Sequence, residues 1–470
     1  MKVDIPRTGC HTIAKSGEKM LAIYDDKQHD KRVALDDGCE RYTWSELREQ
    51  VAKSAQGLRN LQTSGTVMIE MTNTAEALIQ LMSAFQAGWD VCPFSSKAKH
   101  SQVQRLVDTL QPQLMIAIQG NHTIPVYTQA EWRERYNLLK PYVEHQSTSH
   151  FVGTTSGTTG FPKILYRTIK SWQASSEALA DAYHNEKVQT VIIPGKLEQG
   201  HFLMGAIDGL CRGLSVRLLS RYHPQALRQL IEGTQDPLVY IVPTMMQHLA
   251  ELPTNTSGFW LCGGDHCQTY WQERLKTAAP RMRLWRYYGS METSFISLAR
   301  DTDAPDGVGF PMLGVNITLT TEQKISVRSN QLFSGYDSKE QHINQWETSD
   351  YGYLSEAGEL TVIGRDTNRI QFGALTVQAE VVEAVLQQTE NLDEVVVIGQ
   401  NDAYWGEIVV AYYTGRATKK TLRQLCRHQL KAHERPRLFV HVAELPHTIT
   451  GKIDRQKMKE EGIHEPSSHC

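Results

Sequence analysis

TTSGTTGFPK, residues 154–163, is the stretch on which the reading of this chain turns. It holds four threonines, two glycines, a serine, a proline and a lysine, and almost nothing that could fill a core. Such a stretch is either a flexible linker or a loop built to wrap an anion. Anion cradles use glycine because backbone N–H groups must come close to phosphate. Hydroxyls add hydrogen bonds and a lysine adds a point charge. The Walker pattern GxxxxGK[ST] is absent, and Pro162 stands directly before Lys163, where a Walker loop has glycine. A P-loop kinase or GTPase is therefore disfavoured. The linker reading weakens because apolar, strand-capable residues lie on both sides, HFVG (150–153) before and ILYRTI (164–169) after.

The chain has 470 residues, room for two or more domains. Charged residues make up 21% and hydrophobic ones 40%, which argues against wholesale disorder. A net charge of −3, from 49 basic and 52 acidic residues, gives no support for a nucleic-acid binder. No uninterrupted apolar run reaches the length of a membrane span, and the N-terminus lacks the apolar core of a signal peptide. The expectation is a soluble cytoplasmic protein. Eight cysteines are scattered without a CxxC pair or zinc-finger spacing, so they read as reduced thiols. Cys262 and Cys267, which flank GGDH, are given a packing role rather than a metal role.

Strand and helix signals alternate through the first part. Tyr42–Leu47 reads as a strand end entering a helix, with Leu47, Val51, Ala55 and Leu58 on one face. TVMIEM (66–71) reads as a strand, followed by an amphipathic helix ended by Gly88. VIIP (191–194), LVYIVP (238–243) and FWLCGG (259–264) repeat the pattern, which implies parallel α/β sheets with ligand sites at the strand ends. Near residue 307 the chain turns β-rich, and after GRDTNRI (364–370) comes a compact tail. The expected fold class is α/β: a large N-terminal domain (1–364) of α/β sheet subdomains with a β-rich subdomain at about 300–364, then a small mobile α+β C-terminal domain (365–470).

TSGTTGFPK resembles the phosphate loop of the adenylate-forming (AMP-binding) enzymes: acyl- and aryl-CoA synthetases, peptide-synthetase adenylation domains and firefly-type luciferases. Further stretches resemble that family's motifs in the family's order: YYGSMET (287–293), TSDYGYL (348–354), VIGRDTNRI (362–370), IQFGALTV (370–377) and LPHTITGKIDRQKM (445–458). The resemblance implies that a carboxylic acid, fatty or aryl, attacks the α-phosphate of ATP. An acyl-adenylate and pyrophosphate form, and the acyl group then passes to a thiol. Both first reactants are anions, so repulsion must be neutralised and the pair held in line. By resemblance Thr155, Ser156, Gly157, Thr158, Thr159 and Gly160 wrap the β- and γ-phosphates, with Lys163 nearby. Gly263, Gly264 and Asp265 lie by the adenine, on which Tyr288 stacks. Gly289, Ser290 and Met291 fall at the α-phosphate. Glu292 holds Mg²⁺, Asp350 takes the ribose hydroxyls, and Arg365 contacts the ribose and marks the domain junction. Lys452, in the TGK turn, is the catalytic residue that stabilises charge in the transition state. His201 and Tyr287 fall on the acid pocket, His201 as a gate. Asp366 and Thr367 are the hinge, and Gly373 lies on the thiol-acceptor side.

Three positions depart from the family pattern. Met291 stands where threonine is usual, and a thioether cannot donate to a phosphate. Thr367 occupies the usual hinge position, with Asp366 one residue early, and Gln371 replaces a frequent lysine. For the thiol, coenzyme A is the first expectation and the phosphopantetheine of an acyl or peptidyl carrier protein the second. Residues 416–437 hold eight Lys or Arg and one acid, Glu434. Lys420, Arg423, Arg427 and Lys431 fall at helical spacing, either an ordinary solvated face or a docking face for something acidic. Met291 also keeps open a reading of another class, a degenerate protein that binds nucleotide without turnover. A luciferase-type oxidase stays open as well.

Overall fold

The computed structural model describes residues 23–25, 27–61, 65–98, 100–117, 126–127, 150–155, 163–184, 186–265, 267–336, 343–373, 375–402, 404–447 and 453–461. Among these, two mixed sheets share one core. The first has nine strands. Its parallel centre runs in the spatial order Val33–Asp36, Ser215–Leu218, Thr190–Ile193, Leu238–Ile241, Gly258–Cys262 and Met282–Ser290. Antiparallel strands close its edges, Arg41–Thr43 at one end and Ser294–Ala299 with Phe310–Pro311 at the other. The second sheet has seven strands, with Leu114–Ile116, Thr66–Met71, Asp90–Ser95 and His150–Thr155 parallel at its centre. The parallel expectation holds for both centres. It fails at the edges, in part because short connections leave no room for the crossover that parallel pairing needs, and in part because Gly335–Tyr336 joins Lys163–Thr168 antiparallel from far along the chain.

Local sequence explains the helices between these strands. Thr43 and Glu46 form a reciprocal capping box that starts Trp44–Asn60, and the expected stripe of Leu47, Val51, Ala55 and Leu58 is buried. Ala75–Ala87 is apolar nearly all round because most of its surface is buried. One apolar cluster joins Val67, Val91 and Phe151 of the seven-stranded sheet to Val191, Ile241 and Leu261 of the nine-stranded one.

His150–Thr155 pairs antiparallel with Lys163–Thr168, and Thr155 faces Lys163 at the last rung. TTSGTTGFPK is therefore the connection of a hairpin at a sheet's end, and Lys163 opens the return strand with an exposed side chain. Residues 156–162 lie outside the described set.

A four-stranded antiparallel sheet follows, in the order Val315–Leu319, Lys324–Ser329, Trp346–Leu354 and Leu360–Arg365. After the short 3-10 turn Asp366–Asn368 the chain enters a five-stranded sheet that starts at Arg369–Phe372 and has an apolar cluster of its own. The turn is held from both sides. Tyr351 donates its hydroxyl to Asp366 at 3.0 Å and Lys324 Nζ lies 3.7 Å from the same carboxylate. Arg369 donates to the Tyr351 oxygen at 2.8 Å, and Asn368 donates to Glu380 at 2.5 Å.

In the tail, Glu383 on the helix Ala379–Leu386 accepts Arg455 at 2.6 Å, and Arg455 also donates to the Val397 carbonyl at 2.8 Å. The helix Lys419–Gln429 buries Leu422 and Cys426 and exposes Lys420, Arg423 and Arg427. Lys431 falls beyond it, which corrects the four-residue face expected above. Leu430 is already extended, and Arg435 takes up the carbonyls of Arg427 and Leu430 that the ended helix leaves over. No described helix is long and apolar enough to cross a membrane.

Candidate active site

The strand Met282–Ser290 runs out at its C-terminal end into the site, where successive side chains point to opposite faces. Tyr288 goes one way. Its hydroxyl donates to Asp350 Oδ2 at 2.6 Å, while Arg365 Nε donates to Asp350 Oδ1 at 2.6 Å. Asp350 is 5% exposed and Arg365 lies at the surface beside it. Burial raises the Tyr288 hydroxyl well above the ordinary tyrosine value, and the Asp350 charge adds to it. Burial alone would lower the Arg365 guanidinium, but Asp350 and, more weakly, Asp265 outweigh it and raise the group. An ionised carboxylate has about four acceptor positions, so Asp350 keeps capacity for hydroxyls after these two bonds. Three residues expected at a nucleoside, from three separate motifs, thus meet at one carboxylate.

Gly289 follows, and a Cβ there would collide with the Ser294 carbonyl oxygen of the returning strand. Only glycine permits this hairpin, which brings Ser290, Met291 and Glu292 to the sheet's end. Glu292 accepts the hydroxyl of Tyr336, whose strand Gly335–Tyr336 lies beside Lys163–Thr168. Lys163 Nζ sits 5.2 Å from the centre of the Tyr336 ring. Tyr336 therefore links the expected metal-binding acid to the expected phosphate lysine. Beneath them lies the buried Arg167, bonded to Ser171, Ser175 and the Gln331 carbonyl. Burial lowers it to about 10 against the pull of Glu292, so it stays charged at neutral pH.

Tyr287 goes the other way. Its hydroxyl lies 2.7 Å from His201 Nδ1, and His201 Nε2 lies 3.0 Å from the Ile241 carbonyl. A carbonyl only accepts, so Nε2 carries the proton and Tyr287 donates to Nδ1. Phe202, Tyr240 and Tyr287 surround the ring at centroid distances of 4.8 to 5.4 Å. Burial lowers the imidazole to about 4. A Cβ on Gly263 would strike the Tyr287 ring, so that glycine lets the aromatic wall close.

Met291 sits between these corners. A Cβ on Gly200 would collide with its Sδ, and one on Gly153 would come within 2.9 Å of its Cε. The methionine thus fills space left by two glycines, one on the phosphate-hairpin strand and one opening the helix Gly200–Cys211.

Ser156, Gly157, Thr158, Thr159, Gly160 and Lys452 lie outside the described residues, as do the side chains of Thr155 and Thr367. Gly373 lies in the tail sheet region, where its N–H donates to the Trp405 carbonyl at 2.7 Å, and Arg423 and Arg427 are exposed on their helix. None of the bonds described above draws these three to Asp350 or Glu292. Sequence reasoning missed Tyr336, Arg167, Gly153 and Gly200. They stand outside the motifs, and only the sheet order brings them in.

The chain matches the family described as AMP-binding enzyme over residues 24–336, and the AMP-binding enzyme C-terminal domain over residues 381–452. This chain belongs to the AMP-binding enzyme family. It is 28% identical to the uncharacterized acyl–CoA ligase YhfT of Bacillus subtilis (strain 168), over 91% of this chain and 95% of that protein. It is 27% identical to the putative long chain fatty acid–CoA ligase VraA of Staphylococcus aureus (strain COL), over 94% of this chain and 97% of that protein. Its fold is similar to that of the o-succinylbenzoate CoA synthetase MenE from Bacillus subtilis in complex with an acyl-adenylate intermediate. The TM-score is 0.80 at 19% identity, over 94% of this chain and 97% of the other.

Two outcomes follow for this AMP-binding enzyme. An unfolded histidine titrates near 6.5 and His201 near 4, so between those values the unfolded chain binds more protons and stability rises with pH. His201 contributes fully above about 6.5, and its share is lost as pH falls toward 4. Urea unfolding should show the wild type losing about 2 kcal/mol more than His201→Asn across that window, short of what full burial gives because solvent reaches part of the ring. Met291→Thr should raise acid-dependent ATP–pyrophosphate exchange by about tenfold or more if a phosphate donor is what the position lacks. An unchanged rate shows that it does not limit adenylation.

Proposed function

We propose that this chain is an AMP-forming acid–thiol ligase. A carboxylate attacks the α-phosphate of ATP, and pyrophosphate leaves. A thiol then attacks the acyl carbon of the acyl-adenylate, and AMP leaves. What carries the reading is the meeting of Tyr288 and Arg365 on the Asp350 carboxylate, with Glu292 and Lys163 tied through Tyr336 at the end of the phosphate hairpin.

In this reading Asp350 takes the ribose, Tyr288 faces the adenine, and Gly263, Gly264 and Asp265 flank it. Residues 155–160 wrap the β- and γ-phosphates, with Lys163 at the return strand. Lys452 reaches the α-phosphate and the acid carboxylate and stabilises the charge that builds there. His201 is neutral and pinned at both nitrogens, so it acts as a wall and gate of the acid pocket rather than as a base. Glu292 fits Mg²⁺: it is a hard oxygen donor, and Mg²⁺ typically takes one or two carboxylates together with phosphates. When bound, Mg²⁺ supplies positive charge to the phosphates.

The chain divides at residues 1–364 and 365–470, with about 300–364 as the β-rich subdomain and Asp366 and Thr367 as the hinge about which the smaller part turns between the two steps. Coenzyme A is the proposed thiol, as the names of the two relatives above suggest, with a carrier protein's phosphopantetheine as the alternative. The acid is fatty or aryl, and the setting is the cytoplasm.

Lys452→Ala should abolish acid-dependent ATP–pyrophosphate exchange and leave the unfolding transition in place. Exchange at the wild-type rate removes the lysine assignment. Pyrophosphate release from wild type with a panel of fatty and aryl acids tests the activity itself, and silence across the panel favours the nucleotide-binding alternative. For the acceptor, reversing charge with Arg423→Glu and Arg427→Glu should slow thioester formation by about tenfold while adenylate formation stays unchanged. Equal slowing of both steps removes the docking role.

A further inference from the structure

We infer that Cys262 and Cys267 are an oxidative modification site, a thiol pair that closes reversibly to a disulfide across residues 263–266. Their sulfurs lie 3.6 Å apart. Met246 Sδ completes a sulfur triangle, 3.8 Å from Cys262 and 3.2 Å from Cys267. A disulfide needs about 2.05 Å, so the sulfurs must approach by roughly 1.5 Å. The anchors of both cysteines favour side-chain movement over rearrangement. Cys262 ends the central strand Gly258–Cys262, and the Cys267 carbonyl accepts Gln272 Nε2 at 2.6 Å from the next helix. Between them Gly263 and Gly264, the latter at φ +93°, give the loop room to adjust.

The two thiols differ in reach. Cys262 is 1% exposed, whereas Cys267 is partly open. The hydrogen bond with Cys267, and then burial, raise the Cys262 thiol well above its ordinary value, so Cys267 is the one that meets the oxidant. With a hydroperoxide, Cys267–SH and H₂O₂ give the sulfenic acid Cys267–SOH and water. Cys262 sulfur then forms the S–S bond, and its proton leaves with the sulfenic hydroxyl as a second water. Two electrons pass from the thiols to the peroxide. The step is intramolecular, so the small thiolate fraction of Cys262 acts at a high effective concentration. A cellular thiol reverses the step by exchange. The consequence for activity rests on the nucleotide reading above, in which Gly263, Gly264 and Asp265 flank the adenine. A covalent link between the loop's two ends narrows its freedom to accept the base.

The full chain is treated with hydrogen peroxide, alkylated, and digested with trypsin. Cutting after Arg228 and Arg274 leaves both cysteines in one peptide. The expected result is loss of two hydrogens from that peptide, with a rise of roughly fivefold or more in KM for ATP in pyrophosphate exchange, and recovery of both with dithiothreitol. Cys267→Ser should match reduced wild type before peroxide and show no KM rise after it. An unchanged peptide mass overturns the site. A cross-linked enzyme with unchanged KM, or an equal KM rise in Cys267→Ser, overturns its effect on nucleotide. If reduced wild type shows no exchange with any acid, the ligase reading fails while the peptide mass still decides the thiol pair.

Discussion

The Asp350 carboxylate is the constraint around which this molecule is arranged. It is buried, so its charge must be met, and it is met from two directions by Tyr288 and Arg365. A buried carboxylate left without partners would cost several kcal/mol. Tyr288 belongs to the nine-stranded sheet, Asp350 to the four-stranded one, and Arg365 to the last residue before the turn into the tail. Arg365 ends a strand of that same four-stranded sheet and pairs beside Asp350, so the hydrogen-bonded group joins two sheets at the point where the chain turns into the tail, where the strands of the nine-stranded sheet run out.

On the opposite face of the same strand the logic is steric. Tyr287 closes onto Gly263, His201 is pinned between Tyr287 and Ile241, and Met291 fills the gaps at Gly153 and Gly200. The two faces of one strand thus separate a polar, charge-balanced corner from an aromatic and thioether wall. The methionine is a packing element matched to its glycines, which explains why a residue without a phosphate donor is accommodated there.

Much of this was legible in the chain itself. The parallel centres of both sheets followed from strands that alternate with helices. The helix at Leu47 to Leu58 followed from its spacing, and the stop at Gly88 from glycine's access to left-handed backbone. Asp350, Tyr288 and Arg365 stood in recognisable motifs, so their meeting could be anticipated. Tyr336 and Arg167 could not. Tyr336 comes from a two-residue strand, too short for any periodic signal, and Arg167 lies in an apolar run where a charge looks misplaced until its carbonyl and hydroxyl partners are seen. The antiparallel edges were missed because alternation along a strand says nothing about the direction of its neighbour. Lys431 was misassigned because the pattern of basic residues continues after the helix has ended.

The stems of the TGK turn carry a consequence for how its lysine travels. His447 and Ile453 pair across the base of the turn, His447 also bonds Glu394 at 2.8 Å, and Arg455 is locked to Glu383 and Val397. Adjacent Cα atoms are about 3.8 Å apart, so Lys452 is leashed within that distance of the fixed Ile453. In the ligase reading proposed above, any displacement of that backbone beyond this leash needs the sheet that carries Ile453 to travel as a body.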